Sequence, residues 1–156
     1  MRYKHDPGSN RSLIDNSDYS IYEDRSGIIW IGTYGSGLSR FDREVESFTH
    51  YAHQTGNPGS LSDSHVSPIF EDRSVVVWIG TRLGGLSKFD RENETFTHYK
   101  HEPGNSRSLS DNRVFSIYED QSGELWVGTI GGGLNKFDPE NETFTAIDMI
   151  PMTPGA

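Results

Sequence analysis

The side chains that could do chemistry in this chain recur at a fixed spacing of 48 residues. Three histidines and three aspartates keep one register, and they are His5, His53, His101, Asp15, Asp63 and Asp111. Imidazole and carboxylate groups bind metals, but only within about 2.0–2.6 Å of the ion. Equivalent positions in successive units of a repeat lie further apart than this, unless they surround a common axis. We therefore expect these residues to fix loops through hydrogen bonds, and we expect no metal site.

Each unit also contains two neighbouring carboxylates, the kind of group that general acid–base catalysis uses. The three pairs are Glu23-Asp24, Glu71-Asp72 and Glu119-Asp120. A serine follows each pair within a turn-forming sequence, where aspartate side chains commonly bind the backbone. We therefore expect these pairs to stabilise turns rather than to catalyse a reaction.

No other motif supports an enzyme. Residues 33–37 and 129–133 resemble phosphate-binding loops, but no helical pattern follows that could hold an anion at a helix N-terminus. The chain has no nucleophile elbow, no catalytic-triad spacing and no metal signature. It also has no cysteine, which excludes thiolate catalysis and disulfides. The sequence predicts a non-enzymatic protein without a cofactor.

The overall charge narrows the range of partners. The formal net charge is −9 at pH 7, and no cluster of neighbouring lysines or arginines occurs. We therefore expect binding neither to nucleic acid nor to an anionic membrane surface. The N-terminus lacks the apolar region of a signal peptide, and no stretch approaches the roughly 20 apolar residues of a membrane span. The sequence predicts a soluble chain and leaves its compartment open.

The repeating residues lie in units built from short strands. In the third unit, segments rich in β-forming residues predict strands at residues 113–119, 125–129, 134–138 and 143–147. Turn-forming segments rich in Gly, Asn and Asp separate the strands, and no 3.6-residue period of useful length is present. Four short antiparallel strands that repeat in this way are typical of a β-propeller blade. A parallel β-helix would have coils of about 20 residues, and a sandwich has no reason to repeat its sequence.

The predicted fold class is therefore an all-β propeller with three four-stranded antiparallel blades in each chain. Residues 1–156 form one partial propeller, with blades at about 3–50, 51–98 and 99–147 and a tail at 148–156. Segments rich in Pro, Gly, Asn and Ser, such as residues 99–109, connect one blade to the next.

Four motifs in the third unit resemble the two-component regulator propeller repeat. They are Ser108-Leu109-Ser110-Asp111-Asn112, Ile117-Tyr118-Glu119-Asp120, Leu125-Trp126-Val127-Gly128-Thr129 and Gly132-Gly133-Leu134-Asn135-Lys136-Phe137. The resemblance extends over residues 3–147. It implies blades of the extracytoplasmic sensor regions of hybrid histidine kinases, which take part in detecting glycan-derived signals. It does not extend to signal transmission, because the sequence contains no kinase, receiver or helix-turn-helix segment.

The repeated large apolar residues are the expected framework and interface of the blades. They are Trp30, Trp78, Trp126, Leu38, Leu86, Leu134, Phe41, Phe89 and Phe137. Adjacent blades cover each other's faces, so three blades alone would leave one apolar face at each end of the arc. The end units carry no polar cap of the kind that ends a solenoid.

We therefore expect the chain to complete its ring by binding itself. A homodimer with six blades is favoured, because six is the multiple of three within the common range of about 4–8 blades. A homotrimer with nine blades is second, and a different chain that supplies the missing blades is the third alternative. We also expect the tail or residues 1–6 to reach across the junction between chains.

The positions at which the units differ are the better candidates for ligand binding, because repeated residues usually serve the framework. Three equivalent positions vary, and their occupants are Tyr34, Arg82 and Ile130, then Ser17, His65 and Arg113, then Tyr19, Ser67 and Phe115. They lie at the start of the first strand or in the second turn, regions that tend to face the channel mouth of a propeller. We take seven of them as ligand-binding candidates: Tyr34, Arg82, Ile130, His65, Arg113, Tyr19 and Phe115. Divergence on a solvated surface is the alternative explanation.

The sequence thus favours a sensor-type binding module that assembles into a closed ring, with a saccharide, another small ligand or a protein as its partner. The first alternative is a structural assembly unit, or a fragment of a larger sensor, without a ligand of its own. The least favoured alternative is a propeller lyase or hydrolase.

Overall fold

Twelve short strands make up the chain in a computed structural model, which describes residues 4–9, 12–13 and 17–147 and omits the side chains of Asp18 and Tyr19. The strands are β1 Asp18–Glu23, β2 Ile29–Thr33, β3 Leu38–Asp42, β4 Ser47–Tyr51, β5 Val66–Glu71, β6 Val77–Thr81, β7 Leu86–Asp90, β8 Thr95–Tyr99, β9 Val114–Glu119, β10 Leu125–Thr129, β11 Gly133–Asp138 and β12 Thr143–Ile147. The four strands predicted for the third unit are present, with starts that differ by at most one residue.

The strands form three antiparallel sheets in simple up-and-down order, β1–β4, β5–β8 and β9–β12. We call them the first, second and third blade. The first strands of the blades lie innermost, because β5 packs against both β1 and β9. Each first strand has a register irregularity against its neighbour, near Asp18, Val66 or Thr129. The described part of the chain contains no helix, and so it contains no helix that could cross a membrane.

The turn between the first two strands of each blade is organised by the second carboxylate of the pair. Asp24 accepts hydrogen bonds from the backbone of Ser26 at 3.0 Å and of Ile28 at 3.1 Å, and from Trp30 Nε1 at 2.9 Å. Asp72 and Asp120 bind their own tryptophans in the same way, at 2.8 and 2.9 Å. The tryptophan position is therefore fixed by the turn that precedes it.

Apolar side chains fill the two junctions between blades. At the first junction, Trp30 and Leu38 belong to a buried cluster with Ile79, Phe89 and Phe96. Trp30 meets the ring of Phe89 edge-on, with the centroids 5.2 Å apart. At the second junction, Trp78 meets Phe137 at 5.1 Å in the same geometry, within a cluster that includes Leu86 and Phe144. The blades therefore pack through one repeated set of contacts.

The expected framework residues are buried in the first two blades but not throughout the third. Phe41, Phe89, Phe137 and Trp78 are each at most 6 % exposed, and Trp30, Leu38 and Leu86 are completely buried. In the third blade, Leu134 is 41 % exposed and Trp126 is partly exposed. Both lie on a surface shared with Tyr118 and Ile147, which we call the third-blade face. No described residue of this chain packs against it as a fourth blade.

The tail at 148–156, residues 1–3 and Asp15 lie outside the described residues. The expectation that one of the ends reaches across a junction between chains stays a prediction.

Candidate ligand-binding site at the channel mouth

A cavity of about 360 Å³ lies where the inner ends of the three blades meet. Six of the seven predicted ligand-binding residues line it: Tyr34, His65, Arg82, Arg113, Phe115 and Ile130. The side chain of the seventh, Tyr19, lies outside the described residues. The cavity is thus lined by all three residues of one variable position, Tyr34, Arg82 and Ile130, and by part of each of the other two positions.

Backbone hydrogen bonds bring the first two variable positions together in every blade. Arg82 N donates to His65 O at 3.0 Å, and Ile130 N donates to Arg113 O at 2.8 Å. The first blade has the same bond, from Tyr34 N to the residue before β1, at 3.2 Å. The loop after the second strand is therefore tied to the start of the first strand, which sequence separation alone does not reveal.

Side chains from different blades meet at the cavity wall. Arg82 Nη1 donates a hydrogen bond of 2.8 Å to the hydroxyl of Tyr34, and its guanidinium carbon lies 5.9 Å from the centre of that ring. His65 meets the Tyr34 ring edge-on at 4.7 Å. Tyr34, Phe115 and Ile130 are each about half exposed. The cavity therefore offers aromatic and aliphatic faces beside a guanidinium and an imidazole.

Two aspartates behind the cavity fix the residues that line it. Arg113 donates to Asp111 from Nε at 3.0 Å and from Nη2 at 2.7 Å. The hydrogen bond from Arg113 holds the pKa of Asp111 below its usual range, and the same bond raises the pKa of Arg113. Asp63 accepts from the backbone of His65 at 3.2 Å and of Leu83 at 2.7 Å. These are loop-fixing hydrogen bonds of the predicted kind.

The recurring histidines fix the connections between blades. Nδ1 of His5, His53 and His101 lies 2.7, 2.9 and 2.8 Å from the carbonyl oxygen of the leucine eight residues later. Each histidine therefore closes its own loop, far from the other two. No group of three metal-binding side chains occurs among the residues that the structure describes.

The first carboxylate has a role that the sequence did not reveal in the second and third pairs. Glu71 Oε1 accepts the backbone N–H of Arg25 from the preceding blade at 3.1 Å. Glu119 accepts the backbone N–H of Arg73 in the same way, also at 3.1 Å. These bonds join neighbouring blades, so neither glutamate stands free beside its aspartate for acid–base work. The local sequence carries no signal for these bonds, because the donor is a backbone N–H that every residue except proline has.

Two segments of the chain, residues 12–35 and 108–131, match the family model described as two component regulator propeller. Over these two segments the chain is similar to two component regulator propeller repeats. This match confirms the resemblance inferred from the motifs. No curated protein matches the chain.

Solved structures share the fold. The extracellular domain of a hybrid two component system from B. thetaiotaomicron matches with a TM-score of 0.82 and 24 % identity, over 95 % of this chain and 20 % of that one. A second such domain from the same organism gives 0.69 and 28 %, over 86 % and 19 %. Virginiamycin B lyase from Staphylococcus aureus gives 0.66 and 14 %, over 86 % and 42 %.

These likenesses confirm the predicted all-β propeller architecture with three four-stranded blades. The chain spans about a fifth of the length of the two extracellular domains that it resembles. The likeness to the lyase, at 14 % identity, is one of fold alone.

Proposed function

We propose that this chain is a non-enzymatic, sensor-type propeller module that binds a small ligand in the cavity at the channel mouth. The observation that carries the proposal is the convergence of the variable positions on one cavity. Six residues that differ between otherwise similar units line the same 360 Å³ space. Surface divergence alone would have no reason to concentrate there.

The chemistry of the cavity suits a saccharide. Exposed rings of Tyr34 and Phe115 offer flat apolar faces against which the C–H face of a sugar ring can lie. The guanidinium of Arg82 has five N–H donors, and its bond to the Tyr34 hydroxyl engages one nitrogen. Fixed donors beside aromatic faces are suited to a ligand that has both hydroxyl groups and an apolar face.

The carboxylates of the pairs hold the fold together, which supports a binding module over an enzyme. Asp24, Asp72 and Asp120 hold tryptophans and turns, while Glu71 and Glu119 bind the backbone of the preceding blade. General acid–base catalysis would need a carboxyl group within hydrogen-bond reach of a bound substrate. Asp111, which lies behind the cavity wall, is already paired with Arg113.

Thermal-shift titration with neutral and uronic-acid-containing oligosaccharides tests the ligand proposal. At least one sugar should raise the melting midpoint of the wild type, because a ligand that binds only the folded state stabilises it. Arg82→Gln and Phe115→Ala should each abolish most of this shift. Arg107→Gln, which removes an arginine from an outer loop, should leave it unchanged. A panel without any shift, or a full shift in Arg82→Gln, would refute the proposal.

The proposed module also associates with itself to close the ring, with a six-bladed homodimer ahead of a nine-bladed homotrimer. Support comes from the third-blade face, which exposes the positions that the first two blades bury. Light scattering should therefore give twice or three times the chain mass of 17.5 kDa. A stable, well-folded monomer at every concentration would refute this part.

A further inference from the structure

We propose that the third-blade face binds the first blade of a second copy of this chain, in the register that already joins the first blade to the second. The inference rests on the self-association in the proposed function and specifies the residues that make it. Its two ion pairs and one hydrogen bond from the backbone are deduced below from the two junctions within the chain.

Exposure shows what the third-blade face lacks. Tyr118 is 62 % exposed, Leu134 41 % and Ile147 47 %. Leu38 and Leu86, at the positions equivalent to Leu134, are completely buried because the next blade covers them. A further blade of the same repeat would therefore cover Leu134 as the second and third blades cover Leu38 and Leu86.

A clamp on one glutamate recurs at both internal junctions. Glu94 of the second blade accepts hydrogen bonds from the first blade, from the Tyr51 hydroxyl at 2.8 Å and from Arg40 at 3.5 Å. Glu142 accepts equivalent bonds, from a tyrosine at 2.6 Å and a lysine at 3.3 Å. Both glutamates have positive φ angles, 55° and 54°, and Glu46 of the first blade has a φ of 51°. Glu46 therefore has the backbone conformation of a clamped glutamate, although no blade precedes it in the described residues.

Ile147 stands where the first two blades have Tyr51 and Tyr99, so the cation, Lys136, is the part of the clamp that the third blade offers to Glu46. It is equivalent to Arg40 and Lys88, which both reach a glutamate of the next blade. In this chain Lys136 instead lies 2.7 Å from Glu124 of its own blade. A second copy would give it the partner that its equivalents have.

A second charged contact runs in the opposite direction. Arg91 of the second blade lies 2.6 Å from a glutamate of its own blade and 3.2 Å from Asp24 of the first. Arg43 of the first blade likewise lies 2.7 Å from Glu23 of its own blade. In the proposed junction Arg43 of the copy reaches Asp120, the equivalent of Asp24. Glu124 lies close by, where the other blades have an apolar residue, and adds a second carboxylate for Arg43.

The third contact needs only a backbone donor. Arg25 N and Arg73 N each donate to the glutamate that ends the first strand of the next blade. Gln121 has the equivalent N–H on the third blade, and Glu23 has the equivalent carboxylate on the first. The first blade thus carries the full complementary set, Glu23, Arg43 and Glu46, whereas the third blade has Pro139 in place of the arginine. This charge match favours a head-to-tail contact with the first blade of a copy.

Leu13 lies on the first-blade face that the second copy would meet. It packs on Ile31, Phe41 and Phe48 of the first blade, within one buried cluster. Leu61 occupies the equivalent position in the cluster that fills the first junction. The internal junctions therefore form with such a leucine in place.

Charge reversal tests the register. Sedimentation velocity over a concentration series should show that Lys136→Glu and Glu46→Lys each raise the dissociation constant at least about tenfold, because each puts like charges face to face. The double variant should return the constant to within about threefold of the wild type. Lys100→Glu makes the same charge change beside an outer cavity and should have no effect. An equal mixture of the two single variants restores a two-chain ring fully but leaves one mismatched junction in a three-chain ring.

The outcomes separate the two proposals. A wild type that assembles while neither reversal weakens it, or a double variant that is not restored, overturns the register and leaves self-association standing. A wild-type monomer overturns both. Far-UV circular dichroism must first show that each variant is folded, and Lys136→Gln and Glu46→Gln replace any that is not. With these neutral variants, unchanged association overturns the register.

Discussion

Leu86→Ala and Leu134→Ala remove the same three carbons at equivalent positions of the second and third blades. We expect the two substitutions to lower the free energy of unfolding by amounts that differ severalfold. Leu86 is completely buried in the cluster around Trp78 and Phe137. Its loss leaves a cavity between two sheets, which costs about 3 kcal/mol within the usual range of about 2–5. Leu134 is 41 % exposed, so its truncation should cost less than about 1 kcal/mol in a dilute sample.

Urea unfolding, followed by tryptophan fluorescence and circular dichroism at low protein concentration, measures both costs. For a chain of this length, Leu86→Ala should also lower the melting midpoint by about 6–12 °C. At high protein concentration the cost of Leu134→Ala should rise, because a second copy then buries this side chain. The assignment of a repeated core between the blades would be refuted if both substitutions lowered the free energy of unfolding equally at low concentration. A loss below about 1 kcal/mol for Leu86→Ala would refute it as well.

Two further changes test the turns that organise each blade. Asp24→Asn should cost about 1–3 kcal/mol at neutral pH, because it removes the charge that accepts the Trp30 hydrogen bond. Burial acts to raise the pKa of Asp24, but hydrogen bonds from Ser26 and Trp30 hold it below the ordinary value of 3.8. Its contribution is therefore complete above that pH and is lost as the pH falls through the lower folded-state pKa, and unfolding of the variant from pH 6 to 2 should lack this loss. Val75→Gly should stabilise the chain by about 1 kcal/mol, because Val75 has a φ of 67° where the other blades have glycine. A lower melting midpoint in that variant would contradict the strain argument.

The predicted site could be found because repetition provides an internal comparison. Tyr34, Arg82 and Ile130 share one position in the unit, so their difference marks them even without any relative. The structure then placed them beside His65 and Arg113 in one cavity. The sequence could not show that Arg82 donates to the Tyr34 hydroxyl, because that bond joins different blades and depends on how the sheets are inclined to each other.

For the carboxylate pairs, the sequence predicted the role of one residue and not that of the other. Their turn role was predictable for Asp24, whose partners lie within six residues of it. The role of Glu71 was not, because its donor is the backbone of Arg25, 46 residues earlier. A local pattern reveals hydrogen bonds that close within a turn, whereas a bond between blades depends on packing.

The sequence by itself determined the period, the four strands of each blade, the turns between them and the positions at which the units differ. These features follow from local backbone preferences and from apolar residues at fixed intervals, which are nearly the same in all three units. Only the tertiary structure decided that Leu38 and Leu86 are buried while Leu134 is exposed, and that Lys136 turns to Glu124 while Lys88 reaches the next blade. Equivalent residues differ there because burial and charge pairing depend on the neighbouring blade, and the third blade has no such neighbour among the described residues.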